Sequence, residues 1–546
     1  MRINYKYILS VLLGAVLILN TSCDDFLDKS PDDRTELNTK AKVKDALLAA
    51  YPVGNYSILC ELSADNFVDN NNYITLYEGG GQSPKLSARY TIHDEIFAWE
   101  PAFSYVGQDS PSSVWMNLYY SIAVANHALE AIDKLESEGY DQNLDPQRGE
   151  ALMCRAYGHF ILVNIFSHAY KDDAVSGQDL GIPYVTKPET KVSIDYARGT
   201  VTDVYNKIEE DIEKGFKLIT DEEYSVPKYH FNRKAAAAFA ARFYLYKRNY
   251  PKVVEYANIV LGENPPKTTF RDWSKSYVNS STLGYDYIDA QHACNLLLLP
   301  VYTYFDDVFG SRYGNNGPGM KGSIYGTGPT WGNFPPSFEG KLYIAGQQDY
   351  GVLFPKYYMM FEFTDKVAGT GFARAIRAEF TTEETLLCRA EAYVYMNNIP
   401  SALKDLQLWN ALRLNSAELT ESAIRSFYKS SQTLFVKQLN NERMSSSFVL
   451  NPEYKPFIDC ILHFRRIETI YDGFRWFDIK RYGIEIEHAI GEENNVLKLV
   501  YNDARRAIQI PQSVITAGMT PNPIPGLQKP SKEHELLDAR YSEDNN

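Results

Sequence analysis

Apolar residues recur every three or four positions over 114–135, 147–170, 201–219, 232–247, 251–261, 382–397, 400–414 and 461–482. That spacing gives a helix one buried face, so each stretch predicts an amphipathic helix. Strict alternation of apolar and polar residues is scarce and short. The pattern predicts a mostly α-helical body joined by long loops.

Two of these stretches repeat each other. Ala241-Arg-Phe-Tyr244 is followed by a turn at 248–250 and then by Val253, Ala257 and Val260. Ala390-Glu-Ala-Tyr393 is followed by a turn at 397–399 and then by Ala402, Leu406 and Trp409, at the same offsets. This is the tetratricopeptide arrangement, in which small residues let the two helices of a hairpin cross closely. The tripeptide Cys154-Arg-Ala156 recurs as Cys388-Arg-Ala390, which marks 147–170 as a further first helix. Such units bury each other's apolar faces, yet here they lie far apart in sequence, so other material is inserted in a helical scaffold.

Two insertions stand out, about 55–111 and 272–358. The first holds Asp69, Tyr73, Tyr77, Arg89 and Trp99; the second holds Tyr313, Tyr325, Trp331, Phe334, Phe338, Tyr343 and Tyr350 among glycines and prolines. Long loops in a compact protein are usually functional or disordered, and disordered segments are poor in aromatics. Aromatic residues make up 14% of this chain. Flat rings stack on the C–H faces of sugars, while neighbouring Asn, Asp and Arg satisfy the hydroxyls. Candidate ligand-binding residues are therefore Trp331, Trp99, Tyr325, Tyr73, Arg89 and Asp69, with packing inside the loops as the alternative for each.

Charge and targeting narrow the function. Arg2 and Lys6 precede an apolar run from Ile8 to Leu19, followed by Thr21, Ser22 and Cys23. This is the layout of a lipoprotein signal over residues 1–22, with Cys23 as the lipidated residue. The match is loose, since Asn20 stands where an aliphatic residue is usual. An acidic tether over 23–40 and a single domain over 41–546 would follow. The net charge of −14 and the lack of a basic stripe argue against nucleic acid. If Cys23 carries lipid, five of the six cysteines remain, and their wide spacing excludes a CxxC zinc site. Cys154 and Cys388 fall within apolar helical patterns and are expected as buried thiols.

Catalytic signatures are lacking. Gly317-Pro-Gly-Met-Lys-Gly322 matches GxGxxG by letters, without the strand before it and helix after it that a dinucleotide site needs. Asp65, Asp69, Glu78, Asp306, Asp307 and Glu339 could supply a glycosidase pair, but no parallel-strand pattern is visible to fix them. The chain is expected to be no enzyme and to need no cofactor, although its acidic loops leave room for a structural calcium.

The last third carries a resemblance. Arg465-Arg-Ile-Glu468, Tyr471-Asp-Gly473, Phe474-Arg-Trp-Phe-Asp478 and Lys480-Arg481 are similar to the closing helix of the SusD/RagB family. Ile510-Pro-Gln512 with Thr520-Pro-Asn-Pro523 resembles its ending, although Val514 stands where that family has an acidic residue. Arg389-Ala-Glu391-Ala-Tyr393 resembles its "RAEAY" helix, and Cys23-Asp-Asp-Phe-Leu-Asp28 its mature start. Helical spacing would let Arg475 pair with Asp478, and Trp476 and Phe477 would be packing residues.

The resemblance implies a tetratricopeptide-like helical scaffold with irregular ligand-binding insertions. It implies a lipoprotein on the outer face of the outer membrane, which captures an oligosaccharide and delivers it to a SusC-like TonB-dependent transporter. The alternatives are peptide cargo in the same complex, a surface glycoside hydrolase, or a tetratricopeptide adaptor for proteins.

Overall fold

The periodic stretches become helices that carry their own caps. The computed structural model describes residues 36–72, 85–188, 196–273, 280–320, 324–331, 343–344, 351–413, 418–430, 450–491 and 495–523. In chain order, α1 is Pro111–Ser137, α2 Asp145–Phe166, α3 Val201–Leu218, α4 Arg233–Lys247 and α5 Tyr250–Leu261. Ser110 caps α1, and Thr200 with Asp203 forms a capping box on α3. Asn232 and Asn249 cap α4 and α5. Each cap satisfies an N–H that a helix start leaves without a partner.

The strands β1 (Asn295–Tyr302), β2 (Met360–Asp365) and β3 (Thr370–Thr381) form one antiparallel sheet with β3 in the centre. Then follow α6 (Thr382–Tyr395), α7 (Ile399–Arg413), α8 (Lys455–Glu468), α9 (Phe474–Tyr482), the hairpin β4 (Ile486–Ile490) and β5 (Asn495–Leu499), and α10 (Gln512–Thr516). A single hydrophobic core runs from Val43 to Ile515. Among the described residues no helix is long and apolar enough to cross a membrane.

The repeat is real. The pairs α4–α5 and α6–α7 are hairpins, with Ala241, Val253, Ala257, Ala390, Ala402 and Leu406 fully buried between their helices. Both hairpins turn on a left-handed residue at the same offset, Arg248 (φ 63°) and Asn397 (φ 57°). The shared tripeptide marks a third unit. Arg155 makes two hydrogen bonds (2.7 and 2.8 Å) to Asp211 on α3, as Arg389 does (2.9 and 2.8 Å) to Asp405 on α7. Thus α2 and α3 form a hairpin with a long connection. Where they cross, a Cβ on Gly149 would lie 3.0 Å from the Gly215 carbonyl oxygen, so small residues set this approach.

Three expectations change. The stretch 461–482 is two helices, broken where Tyr471 (φ 67°) and Gly473 (φ 80°) adopt left-handed backbone. The turn-forming Asp472-Gly473 pair outweighs the apolar period there. The second insertion contains strand β1, and its partner β3 follows it. Arg475 does not pair with Asp478; it makes two hydrogen bonds to Asp65 (2.7 and 2.9 Å). Trp476 and Phe477 are fully packed, and the five described cysteines are buried free thiols.

Asp478 belongs to a buried chain of alternating charge. The order is Arg377–Glu379–Arg242–Glu384–Arg465–Asp478–Arg481–Glu391, with successive N···O distances of 2.8, 2.6, 3.3, 3.4, 3.0, 2.7 and 2.8 Å. It joins β3, α4, α6, α8 and α9. Four guanidinium groups and four carboxylates balance, which is what lets them stay charged in a core. The motifs around Glu391, Arg465, Asp478 and Arg481 are therefore structural.

Candidate functional site

The ends of the two insertions meet beside the sheet. Tyr90 precedes the helix Thr91–Phe97, Tyr105 lies in the connection to α1, and Tyr304 follows β1. The Tyr90 and Tyr105 rings stack at 4.8 Å and 18°, and Tyr304 tilts against Tyr90 at 6.1 Å. All three are partly exposed. Next to them Tyr302 stacks on Phe372 of β3 at 4.6 Å. Phe372 and Val106 are 39% and 65% exposed, whereas the exposed Phe361 and Phe363 lie on the other face of the sheet, because it is Glu362 that pairs with Phe372.

Polar groups converge on this face. Asp307 accepts from the Tyr90 hydroxyl (3.2 Å) and from Nε of the exposed Arg89 (3.3 Å). Burial and then the Asp307 charge push the Tyr90 phenol up to about 12, so it stays a donor. Tyr304 is held from behind, because its backbone N–H donates to Oδ2 of the buried Asp109 (2.7 Å). Burial pushes the Asp109 carboxyl up to about 7. Gln108 donates to the Ala373 carbonyl of β3 (2.8 Å), tying the Tyr105 loop to the sheet. The arrangement offers aromatic faces beside paired donors and acceptors, which suits an uncharged polyhydroxylated ligand.

Of the described ligand-binding candidates named from sequence, Arg89 alone lies on this face, where it meets Asp307, one of the acids considered for a glycosidase pair. Trp99 is 5% exposed; its ring stacks on His488 at 4.1 Å and its indole N–H donates to the Ser63 carbonyl (2.9 Å). Asp69 is buried against Arg312 (2.8 Å) and accepts from the Gly491 N–H (2.9 Å). Trp99 and Asp69 thus both brace the β4–β5 hairpin. Tyr325 is fully buried. Trp331 is 8% exposed, lies 5.5 Å from His463 and 5.9 Å from Phe464 of α8, and donates to the Gly326 carbonyl. These four pack in the structure. Tyr73 and Cys23 lie outside the described residues, as do Glu78 and Glu339.

Sequence reasoning passed over Tyr90, Tyr105, Tyr304 and Phe372. The first three are loop tyrosines of the insertions, so the composition signal covered them, but tryptophans were weighted above them. Asp65 is consumed by Arg475 and Asp69 by Arg312, which leaves neither as a free acid. Among the described residues no group of three or more His, Cys, Asp or Glu side chains is arranged to hold a metal ion.

The comparisons agree with the fold. Residues 25–245 match the family SusD-like_3, described as "Starch-binding associating with outer membrane". A SusD superfamily protein from Bacteroides fragilis is similar over 88% of this chain and 98% of its own, at 16% identity and a TM-score of 0.58. A putative sugar binding protein from Bacteroides vulgatus covers 90% and 99%, at 19% identity and 0.58. A SusD-like carbohydrate binding protein from the same species covers 88% and 96%, at 15% identity and 0.55. None of the curated proteins matches this chain. The N-terminal segment thus matches the SusD-like_3 family model, and the helical fold is the one seen in SusD superfamily proteins.

Proposed function

We propose that the protein is a cell-surface lipoprotein, anchored through Cys23 in the outer membrane, that captures a neutral oligosaccharide and delivers it intact to a SusC-like TonB-dependent transporter. The observation that carries this reading is the Tyr90–Tyr105–Tyr304 cluster, half-open to solvent and edged by Arg89 and Asp307. A sugar ring lies on a tyrosine face, and Arg89 and Asp307 exchange hydrogen bonds with its hydroxyls. Tyr73 is retained as a proposed ligand-binding residue. On this reading the protein binds without turnover, in keeping with Asp306 and Asp307, which adjoin on one short helix and cannot flank a glycosidic bond.

The test is calorimetric titration of the lipid-free protein with neutral plant, microbial and host oligosaccharides, followed by recovery of the sugar. Saturable binding with intact sugar is expected. Released product would overturn the non-enzymatic reading, and binding of peptides in place of sugars would shift the cargo.

A further inference from the structure

A second concave surface lies away from the tyrosine cluster. It is a cleft of about 590 Å³ between the exposed face of α1, the connection at 183–187 and the C-terminal segment at 513–519. That volume lies in the range of small-ligand sites. Its floor is Trp115, packed at 4.9 Å against Tyr119 and edge-on to Phe166. Its rim is Met116 and Tyr120, which are 57% and 62% exposed.

The walls are fixed by buried hydrogen bonds. Tyr119 donates to the Pro183 carbonyl (2.8 Å), which sets one wall. The opposite lip is α10 and the residues after it. Asn522 donates to the carbonyls of Phe166 (3.0 Å) and Ile508 (2.8 Å), and Arg198 donates to the Thr520 carbonyl (2.9 Å). The Thr520-Pro-Asn-Pro523 ending therefore clamps this lip in place. A shape held this way exists before any ligand arrives, which lowers the ordering cost of binding.

The chemistry differs from that of the tyrosine cluster. The cleft is lined mainly by aromatic and aliphatic side chains and offers few groups to bond a polyol. Among the described residues, its only charged lining residue is the exposed Lys187. In a chain of net charge −14, a cation at the rim of an apolar cleft favours an anion with an apolar body.

We propose that this cleft is a second ligand site, which takes a small amphipathic anion: a flat apolar body carrying one carboxylate or sulfonate. The body lies on Trp115 and Tyr120, and the anionic group meets Lys187 at the rim. A methionine such as Met116 adapts to the outline of the body.

Two fluorescent probes of matched shape test this on the lipid-free protein. Anilinonaphthalene sulfonate is the anion, and N-phenylnaphthylamine is its uncharged counterpart. Both are expected to bind saturably at one equivalent. Lys187→Glu is expected to weaken the sulfonate about tenfold and to leave the amine within about twofold. Tyr120→Ala is expected to weaken both about tenfold. Both substitutions fall on exposed side chains, and the urea midpoint of each variant verifies folding. Absence of stoichiometric sulfonate binding overturns the proposal, as does sulfonate binding that Lys187→Glu leaves unchanged. Competitive displacement of the sulfonate by a bound oligosaccharide overturns the independence of the two sites.

Discussion

Asp478→Asn removes one negative charge from the buried alternating chain while keeping the shape of the side chain. In the wild type, Asp478 accepts from Arg465 Nε (3.0 Å) and from Arg481 Nη2 (2.7 Å) and Nε (3.3 Å). Burial pushes its carboxyl up, but the two guanidinium groups outweigh burial and hold it below the usual range. Losing the charge leaves four guanidinium groups against three carboxylates in the core. Breaking a buried pair from one side costs about 3–5 kcal/mol. The exposed pair Lys498–Glu487, 65% and 51% exposed, is the control, and its disruption is expected to leave the urea midpoint nearly unchanged.

The assay is urea unfolding followed by tryptophan fluorescence, with an unchanged slope expected against urea. The double variant Asp478→Leu with Arg481→Met removes one charge of each sign and is predicted to be no less stable than Asp478→Asn. Because the folded carboxyl titrates below its unfolded value, its stabilisation is present above about pH 4 and lost as pH falls through the folded pKa. The gap between wild type and variant should therefore narrow in acid. A loss below about 1 kcal/mol at neutral pH would refute the claim that charge balance in this chain holds the core together.

The other predictions concern the corner before α9, the support behind Tyr304 and the tyrosine face. Gly473→Ala places a Cβ 2.9 Å from that of Cys60 at φ 80°, so strain and overpacking should cost about 2–4 kcal/mol in the same unfolding assay. Asp109 has a folded pKa of about 7, well above its unfolded value, so its contribution favours the fold below about pH 4 and is lost as pH rises to 7. Asp109→Asn should lack this loss and gain roughly 2–4 kcal/mol on the wild type between pH 5 and pH 8, read from unfolding free energies at the two pH values. Tyr304→Ala should weaken oligosaccharide binding about tenfold by calorimetry while leaving the unfolding midpoint nearly unchanged.

The scaffold could be read from the sequence because hairpin packing needs small residues at fixed offsets. The offsets around Ala241 and Ala390 hold down to the left-handed turn residues Arg248 and Asn397. Strand β3 could not be read this way. Its inward positions include Arg377 and Glu379, both almost fully buried, so charge sits where alternation would need apolar residues. The candidate site was legible only as composition. Tyr90, Tyr105 and Tyr304 come from separated segments that meet only in the fold, and no period links them. Trp99 and Trp331 attracted notice by ring size, yet a large ring is also what a loop buries to order itself. His488, which covers Trp99, lies beyond the closing motif, and nothing in the spacing brings the two together.

The central claim is capture on the tyrosine face. It is tested most directly by titrating one oligosaccharide from the panel, by calorimetry, into wild type, Tyr105→Ala and Trp99→Ala in parallel. The account predicts saturable wild-type binding, about a tenfold loss in Tyr105→Ala, and unchanged affinity in Trp99→Ala at a temperature where it is folded. Lost affinity in Trp99→Ala with full affinity in Tyr105→Ala would contradict it, as would a wild type that binds no sugar.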